Sequence, residues 1–237
     1  MLSTGRMTRM SKGRISTYTL EELIGPLNDV EKKYVPKELY VAGSLPIPLP
    51  VPRSAVIGSR KASSEGLEAA RDIARTLARR GVVVISGLAE GIDTAAHKAT
   101  IESGGRTIAV LGTPLDRVYP RKNTGLQELI MRNHLVVSQF PIGHSTWPKD
   151  FVLRNRTMAL ISNASIIVEA GDSSGSLHQG WEALRLGRPL FIWRAVMNDH
   201  SLKWPKKMEK YGAMELGDPE EVLDVLPSQE KILEVAI

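Results

Sequence analysis

The amino-acid sequence predicts an α/β fold: a mostly parallel, doubly wound sheet with helices on both faces. Three observations predict it. Short apolar, β-branched runs recur at residues 55–57, 82–85, 107–111, 135–137, 165–168 and 189–193. Helical patterns separate those runs, and strands that are apolar throughout belong to a parallel sheet buried on both faces. Three runs also end in glycine-rich turns, Gly58-Ser59-Arg60, Gly87-Leu88-Ala89-Glu90-Gly91 and Gly171-Asp172-Ser173-Ser174-Gly175. Glycine lets the backbone turn sharply and present bare N–H groups. On a parallel sheet such turns fall at the carboxyl ends of the strands, where ligands bind.

The elements follow in order. Residues 1–14 carry Arg6, Arg9, Lys12 and Arg14 with no acidic residue and no apolar segment behind them, which makes a basic tail rather than a secretory signal. Leu20, Leu23, Ile24 and Leu27 recur at helical spacing, predicting one short amphipathic helix over 17–30. Residues 45–52 alternate proline with aliphatics; such a run reads as an extended, stiff connector along the domain surface. These parts form an N-terminal segment, 1–52, ahead of one α/β domain at 53–227 and a C-terminal tail at 228–237. Within that domain Leu67, Ala70, Ile73, Ala74 and Leu77 share one face of a helix over 65–80, closed by Gly81. Further helices are expected over 93–103, 123–132, 150–162 and 175–186, with Asp93 and Asn123 as N-caps. Asp218-Pro219-Glu220-Glu221 starts a last one, by its cap and its proline at the first helical position.

Composition narrows the chemistry. A net charge of +5 and a pI near 9.4 favour acidic partners, phosphate first. Aromatic residues make up only 5%, which argues against a surface that works mainly by stacking bases on rings. The chain has no cysteine, so disulfides, thiol catalysis and cysteine metal sites are excluded, in keeping with a cytoplasmic protein. No apolar run approaches the ~20 residues that span a bilayer, so no membrane partner is expected.

Four loops fall at the expected ligand edge. Gly58-Ser59-Arg60 combines close backbone approach, a hydroxyl donor and a guanidinium fork. The turn from Gly87 to Gly91 precedes a helix whose acidic Asp93 would repel a phosphate, so Asp93 reads as structural. Arg121-Lys122-Asn123 places two cations just ahead of a helix, and Ser173-Ser174-Gly175-Ser176 opens another with small hydroxyls. Arg154 and Arg156 add charge, but residues two apart on a helix point to different sides. One of them pairs with a carboxylate such as Glu169 while the other faces the ligand.

No catalytic or cofactor signature appears. His97, His134, His144, His178 and His200 are scattered without metal-ligand spacing. There is no G-x-G-x-x-G and no G-x-x-x-x-G-K-[ST]. Glu169 is the best single acid, and one carboxylate makes no mechanism. Trp147, Trp193 and Trp204 are candidates for stacking on a base, against a simpler role in core or interface.

Together these motifs resemble the DNA-processing protein A family (DprA, also called Smf). The resemblance rests on Val56-Ile57-Gly58-Ser59-Arg60, on the run from Ser86 through Gly87, Gly91 and Asp93 to His97, and on Gly105 to Gly112. It continues through Leu115-Asp116-Arg117-Val118-Tyr119-Pro120, Phe151 with Arg154-Asn155-Arg156, and Glu169-Ala170-Gly171 with Ser174-Gly175-Ser176-Leu177, covering residues 41–226. It implies an extended Rossmann-like fold and a non-catalytic, cofactor-free protein that binds single-stranded DNA. It further implies a homodimer that helps load a RecA-type recombinase during transformation and recombination. The positions it implies for phosphate contact are Gly58, Ser59, Arg60, Gly87, Lys122, Arg154, Asn155, Arg156, Ser174, Gly175 and Ser176.

Three departures stand out. His178-Gln179 replace the Ile or Val and Thr that often follow this serine loop, and Trp193-Arg194-Ala195-Val196 replace a Pro-Gly after the sixth strand. The N-terminal helical domain is reduced and a C-terminal winged helix is not expected. The alternative is a nucleotide-binding sensor or an enzyme like the related phosphoribohydrolases. Aligning Gly175-Ser176 with their Gly-Thr puts Gln179 where they carry a catalytic Glu, and an amide is neither acid nor base.

Overall fold

The structure, a computed structural model, describes residues 5–6 and 15–227. Its first elements are β1 (Gly5–Arg6), β2 (Ser16–Tyr18), α1 (Leu20–Ile24), α2 (Asp29–Lys32) and β3 (Leu39–Gly43). The repeating part follows as β4 (Arg53–Gly58), α3 (Ser64–Arg79), β5 (Val83–Ser86), α4 (Ile92–Glu102) and β6 (Thr107–Leu111). Next come β7 (Arg117–Val118), a 3-10 turn at Arg121–Asn123, α5 (Thr124–Asn133), β8 (Leu135–Ser138), α6 (Pro148–Ile161) and β9 (Ala164–Glu169). The chain continues with α7 (Ser176–Arg185), β10 (Leu190–Trp193), α8 (Arg194–Met197), α9 (Trp204–Glu209), β11 (Met214–Leu216) and a 3-10 helix at Pro219–Val225.

Nine strands form one sheet in the order β11-β10-β9-β4-β5-β6-β8-β3-β2. From β11 to β8 every neighbour is parallel, and β3 and β2 add an antiparallel edge. The apolar runs read from the sequence are the six strands β4, β5, β6, β8, β9 and β10. Their alternate residues feed two layers. Ala55, Ile57, Ile85, Ile108 and Ile167 pack towards α6 and α7, while Val56, Val84 and Ile166 pack towards α3 and α4. A third cluster under α5 takes Ala109, Leu111 and Val136.

The N-terminal segment corrects the sequence reading. The helix expected over 17–30 is two short helices separated by Gly25-Pro26, each opened by its own capping box at Thr19 and Asn28. A strand precedes them, and β3 pairs with β8. Leu20, Leu23 and Leu39 are fully buried in the main core, and each such side chain stabilises by about 1.5–3 kcal/mol. The proline run does not lie free along the surface. Leu49 is buried, and its N–H donates to the Leu23 carbonyl at 2.7 Å. Arg53, also buried, donates to the carbonyls of Leu49 (2.9 Å) and Ile161 (2.6 Å), and burial lowers its pKa to about 10.

The two expected caps fare differently. Gly91 occupies the N-cap of α4, and Asp93 sits inside the first turn. Asn123 holds the N-cap position of α5 as expected, but its side chain makes no capping bond; its amide donates to the Leu88 carbonyl and to the Thr94 hydroxyl, both at 2.9 Å. The expected last helix is 3-10 in form, with Asp218 as its cap. The basic tail, apart from the backbone of 5–6, and the C-terminal tail at 228–237 lie outside the described residues.

Candidate functional site

β4 and β9 are neighbours in the sheet, yet the chain leaves β4 towards β5 and reaches β9 only later, on the other side. That reversal opens a crevice at the carboxyl ends of the two strands. The register between them shifts at Ile57/Gly58, which frees the end of β4. A cavity of about 690 Å³ occupies the crevice. Residues 57–61 form one wall, Gly171 with 173–176 the opposite wall, and α6, the first turn of α7, Ala89, Asp93 and Tyr119 the rest.

Backbone contact sets the first wall. Ser59 N–H donates to the Glu169 carbonyl at 2.7 Å, and a Cβ at Gly58 would lie 2.7 Å from that same oxygen. Only glycine lets the strands approach this closely. The exposed Arg60 guanidinium lies over the Phe151 ring, 5.7 Å from its centroid, and Phe151 meets Tyr119 at 5.3 Å. On the opposite wall the Ser174 and Ser176 hydroxyls bond each other at 2.7 Å. No side chain caps α7, so the positive end of that helix is directed at the cavity. Asn155 ties the loop to α6 by donating to the Gly175 carbonyl at 3.0 Å.

Of the residues singled out from the sequence, Gly58, Ser59, Arg60, Arg154, Asn155, Ser174, Gly175 and Ser176 line this cavity. Arg154 does so from within the protein. It is 6% exposed, its Nη1 donates to the carbonyls of Gly87 and Val110 (2.5 and 2.9 Å), and its Nε donates to Asn155 (3.0 Å). The Asp93 carboxylate accepts from Gly87 N–H (3.2 Å) and Ala89 N–H (3.3 Å), so the acid and the base grip one glycine from its two sides. Burial raises the Asp93 pKa and lowers that of Arg154, and each opposite charge works against the other's shift. Asp93 is structural, as expected, through this pairing rather than as a cap.

Three of the expected positions lie away from this cavity. Gly87 is not at the cavity; it lies against Arg154, whose Nη1 would be 1.9 Å from a Cβ placed there. Lys122 lies beyond the turn at 89–91, beside a second cavity of about 500 Å³, with its ammonium 2.5 Å from the Glu90 carboxylate. Arg156 faces away, since two residues turn a helix by about 200°. It donates to Glu182 at 3.3 Å and lies over the Tyr34 ring at 5.2 Å. Glu169 pairs with neither arginine; it accepts from the Ser63 N–H (3.0 Å) and hydroxyl (2.5 Å) at the start of α3.

The sequence reading underweighted the aromatic part of the site. Phe151 stands one helical turn before Arg154 and therefore on the same face, which is the signal that identifies it. Trp204 is core, donating its indole N–H to the Ala170 carbonyl at 3.1 Å, and neither Trp147 nor Trp193 lines the cavity. Where a Pro-Gly was replaced, β10 runs directly into α8. His97 is fully buried against the Thr107 hydroxyl at 2.7 Å. Among the described residues no group of three or more His, Asp or Glu side chains could hold a metal ion, and no helix is long and apolar enough to cross a membrane.

The fold recurs in solved structures. The DNA processing protein A of Streptococcus pneumoniae superposes with a TM-score of 0.76 at 30% identity, covering 91% of this chain and 76% of that one. The Helicobacter pylori protein, whose structure is described in terms of its single-stranded DNA binding mode, gives 0.72 at 26% identity, covering 90% and 96%. In sequence, the S. pneumoniae protein is 41% identical over 156 residues, which are 66% of this chain and 55% of that protein. This chain therefore matches only about half the length of that relative. The family model described as DNA recombination-mediator protein A matches residues 21–227, from α1 through the final 3-10 helix, and the chain belongs to that family.

Proposed function

We propose that this protein binds single-stranded DNA in the crevice between β4 and β9 and acts there as a recombination mediator without catalysing a reaction. The observation that carries this reading is the pairing, across one cavity, of an exposed Arg60 stacked on Phe151 with an uncapped helix end carrying Ser174 and Ser176. A guanidinium and free helix donors suit phosphate oxygens, and a ring suits a base, so the wall offers a strand both of its contact types. The likeness to the H. pylori protein supports it. In the same reading the protein is a cytoplasmic homodimer that hands the strand to a RecA-type recombinase.

The phosphate contacts proposed are Gly58, Ser59, Arg60, Ser174, Gly175 and Ser176. Arg154 and Asn155 hold the wall in place, with Arg154 adding positive potential from beneath. Lys122 serves a strand only where it continues past the turn at 89–91. Gln179 speaks against a phosphoribohydrolase-like reaction, because its amide can neither donate nor take up a catalytic proton.

Anisotropy titrations of a labelled single strand, a duplex and mononucleotides across a salt series test the reading. Single strands bind in preference, with affinity falling steeply as salt rises. Arg60→Ala weakens binding irrespective of sequence and lowers the slope of log K against log salt by about 0.7, the release expected for one phosphate contact on a single strand. Saturation by a mononucleotide, with no preference for strands, overturns it in favour of a nucleotide sensor.

A further inference from the structure

Helix α9 carries a charge pattern that the crevice does not use. Lys203, Lys206, Lys207 and Lys210 stand at i, i+3, i+4 and i+7, the spacing that puts side chains on one face of a helix. The flanking residues of α9, Lys203 and Lys210, have helical dihedrals themselves, so the pattern holds along the whole stretch. All four lysines are exposed, while Trp204, Pro205 and Met208 bury the opposite face. The stripe runs about 10 Å along the axis. Glu209 pairs with Lys206 at 3.1 Å; among the described residues Lys203, Lys207 and Lys210 have no carboxylate partner. Aromatic rings lie beside the stripe. The Lys207 ammonium is over the Trp181 ring, 5.6 Å from its centroid, and Tyr211, 66% exposed, meets that ring edge-on at 5.3 Å.

We infer that this face of α9 is a second nucleic-acid surface, separate from the crevice, where the lysines hold phosphates of a strand that has left the crevice and Tyr211 offers its ring to a base. The inference rests on the single-strand reading above. Like charges held side by side with few acids raise the local positive potential, and a polyanion relieves it. At about 3.4 Å per phosphate along a stacked strand, the stripe reaches about three phosphates. The exposed ring favours a nucleic acid over an acidic protein, because bases stack on aromatic faces. A second copy seated here across a two-fold axis would set positive face against positive face, which like-charge repulsion disfavours. Continuity with the crevice comes through Trp204. Its indole N–H donates to the Ala170 carbonyl at 3.1 Å, and Ala170 directly precedes Gly171 of the crevice wall.

Strand length separates the two surfaces. Anisotropy titrations across a salt series compare a single strand of about 6 nucleotides with one of about 20. The proteins are the wild type, the triple variant Lys203→Gln, Lys207→Gln, Lys210→Gln, and a control with the same loss of charge elsewhere. The control is Lys33→Gln, Arg79→Gln, Arg132→Gln, whose residues are exposed and border neither cavity. The triple variant binds the short strand as the wild type does and weakens the long one by at least about 10-fold, as one lost charge-assisted bond implies. Its salt slope on the long strand falls by about 2, or about 0.7 for each lysine. The control changes long-strand binding by less than about 3-fold, its charges being screened at a distance. Equal losses in variant and control, or on short and long strands alike, overturn the proposal. So does a long-strand loss that tracks a change of association state in sedimentation, which assigns the face to contact between copies. Should the triple variant fail to fold, Lys210→Gln alone serves in the same comparison. Arg60→Ala weakening both strands while the lysine variant is silent removes only the α9 surface. A long-strand loss in the lysine variant with Arg60→Ala unchanged keeps the α9 surface and removes the crevice reading.

Discussion

Replacing Arg154 with methionine separates an arginine that holds the wall from one that holds the ligand. The guanidinium sits 6% exposed, bonded to two backbone carbonyls and to Asn155, with the charge of Asp93 nearby. Removing it leaves the buried Asp93 carboxylate without its balancing cation and two carbonyls without their charged donor. Breaking such an arrangement from one side costs about 3–5 kcal/mol, a large part of the 5–15 kcal/mol typical of a whole domain. Urea unfolding at pH 7 of the wild type, Arg154→Met, Asp93→Asn and the double variant measures this. The double variant falls short of the sum of the singles, with a coupling of about 1–3 kcal/mol. The pH dependence has a defined sign. Asp93 in the folded protein holds its proton above the ordinary carboxylate range, so between the unfolded and folded values the folded state binds more protons. Without Arg154 that range widens, and Arg154→Met regains stability relative to wild type as the pH is lowered through it. A loss below about 1 kcal/mol, or single effects that add within ~0.5 kcal/mol, would refute the reasoning.

Gly91 has φ 73°, and a Cβ there would lie 2.2 Å from the Ser59 carbonyl, so Gly91→Ala costs at least about 2 kcal/mol in thermal or chemical unfolding; an unchanged melting temperature contradicts this. Burial, with the charge of His134 next in size, lowers the His97 pKa to about 3. An unfolded histidine takes its proton near 6.5, so between pH 6.5 and about 3 the unfolded state binds more protons and stability drops as the pH is lowered, by about 1.4 kcal/mol per unit. His97→Asn flattens that decline, and parallel stability profiles for the two proteins argue against it. Thr19→Ala removes the capping box of α1 and costs about 1 kcal/mol, read by loss of unfolding midpoint without change in slope.

The interior strands of the sheet were legible because each is buried on both faces, and burial on both faces writes a continuous apolar run into the sequence. The edge strands carried no such mark. β2 and β11 are only three residues long, and β3 contains Tyr40, Ala42 and Gly43 beside its buried leucine and valine. The proline run was read as a surface connector because its sequence shows no partner. The bond from Leu49 to Leu23 exists only once the chain has folded back on itself.

The site divides the same way. By itself the sequence determined that glycine and serine turns follow apolar strands, and a parallel sheet must bring such turns to one edge. It therefore settled Gly58, Ser59, Arg60 and the loop from Ser174 to Ser176 as neighbours. Which charges line the cavity was decided by the tertiary structure alone. Arg154 turned inward to Gly87 and Asp93, while Arg156 pairs with Glu182 and the exposed Lys122 with Glu90. A side chain's charge is local to its residue, but its partner is set by what packing brings within reach, often from far along the chain. The same packing buried the Gln179 amide against Ser165 with one oxygen unmatched.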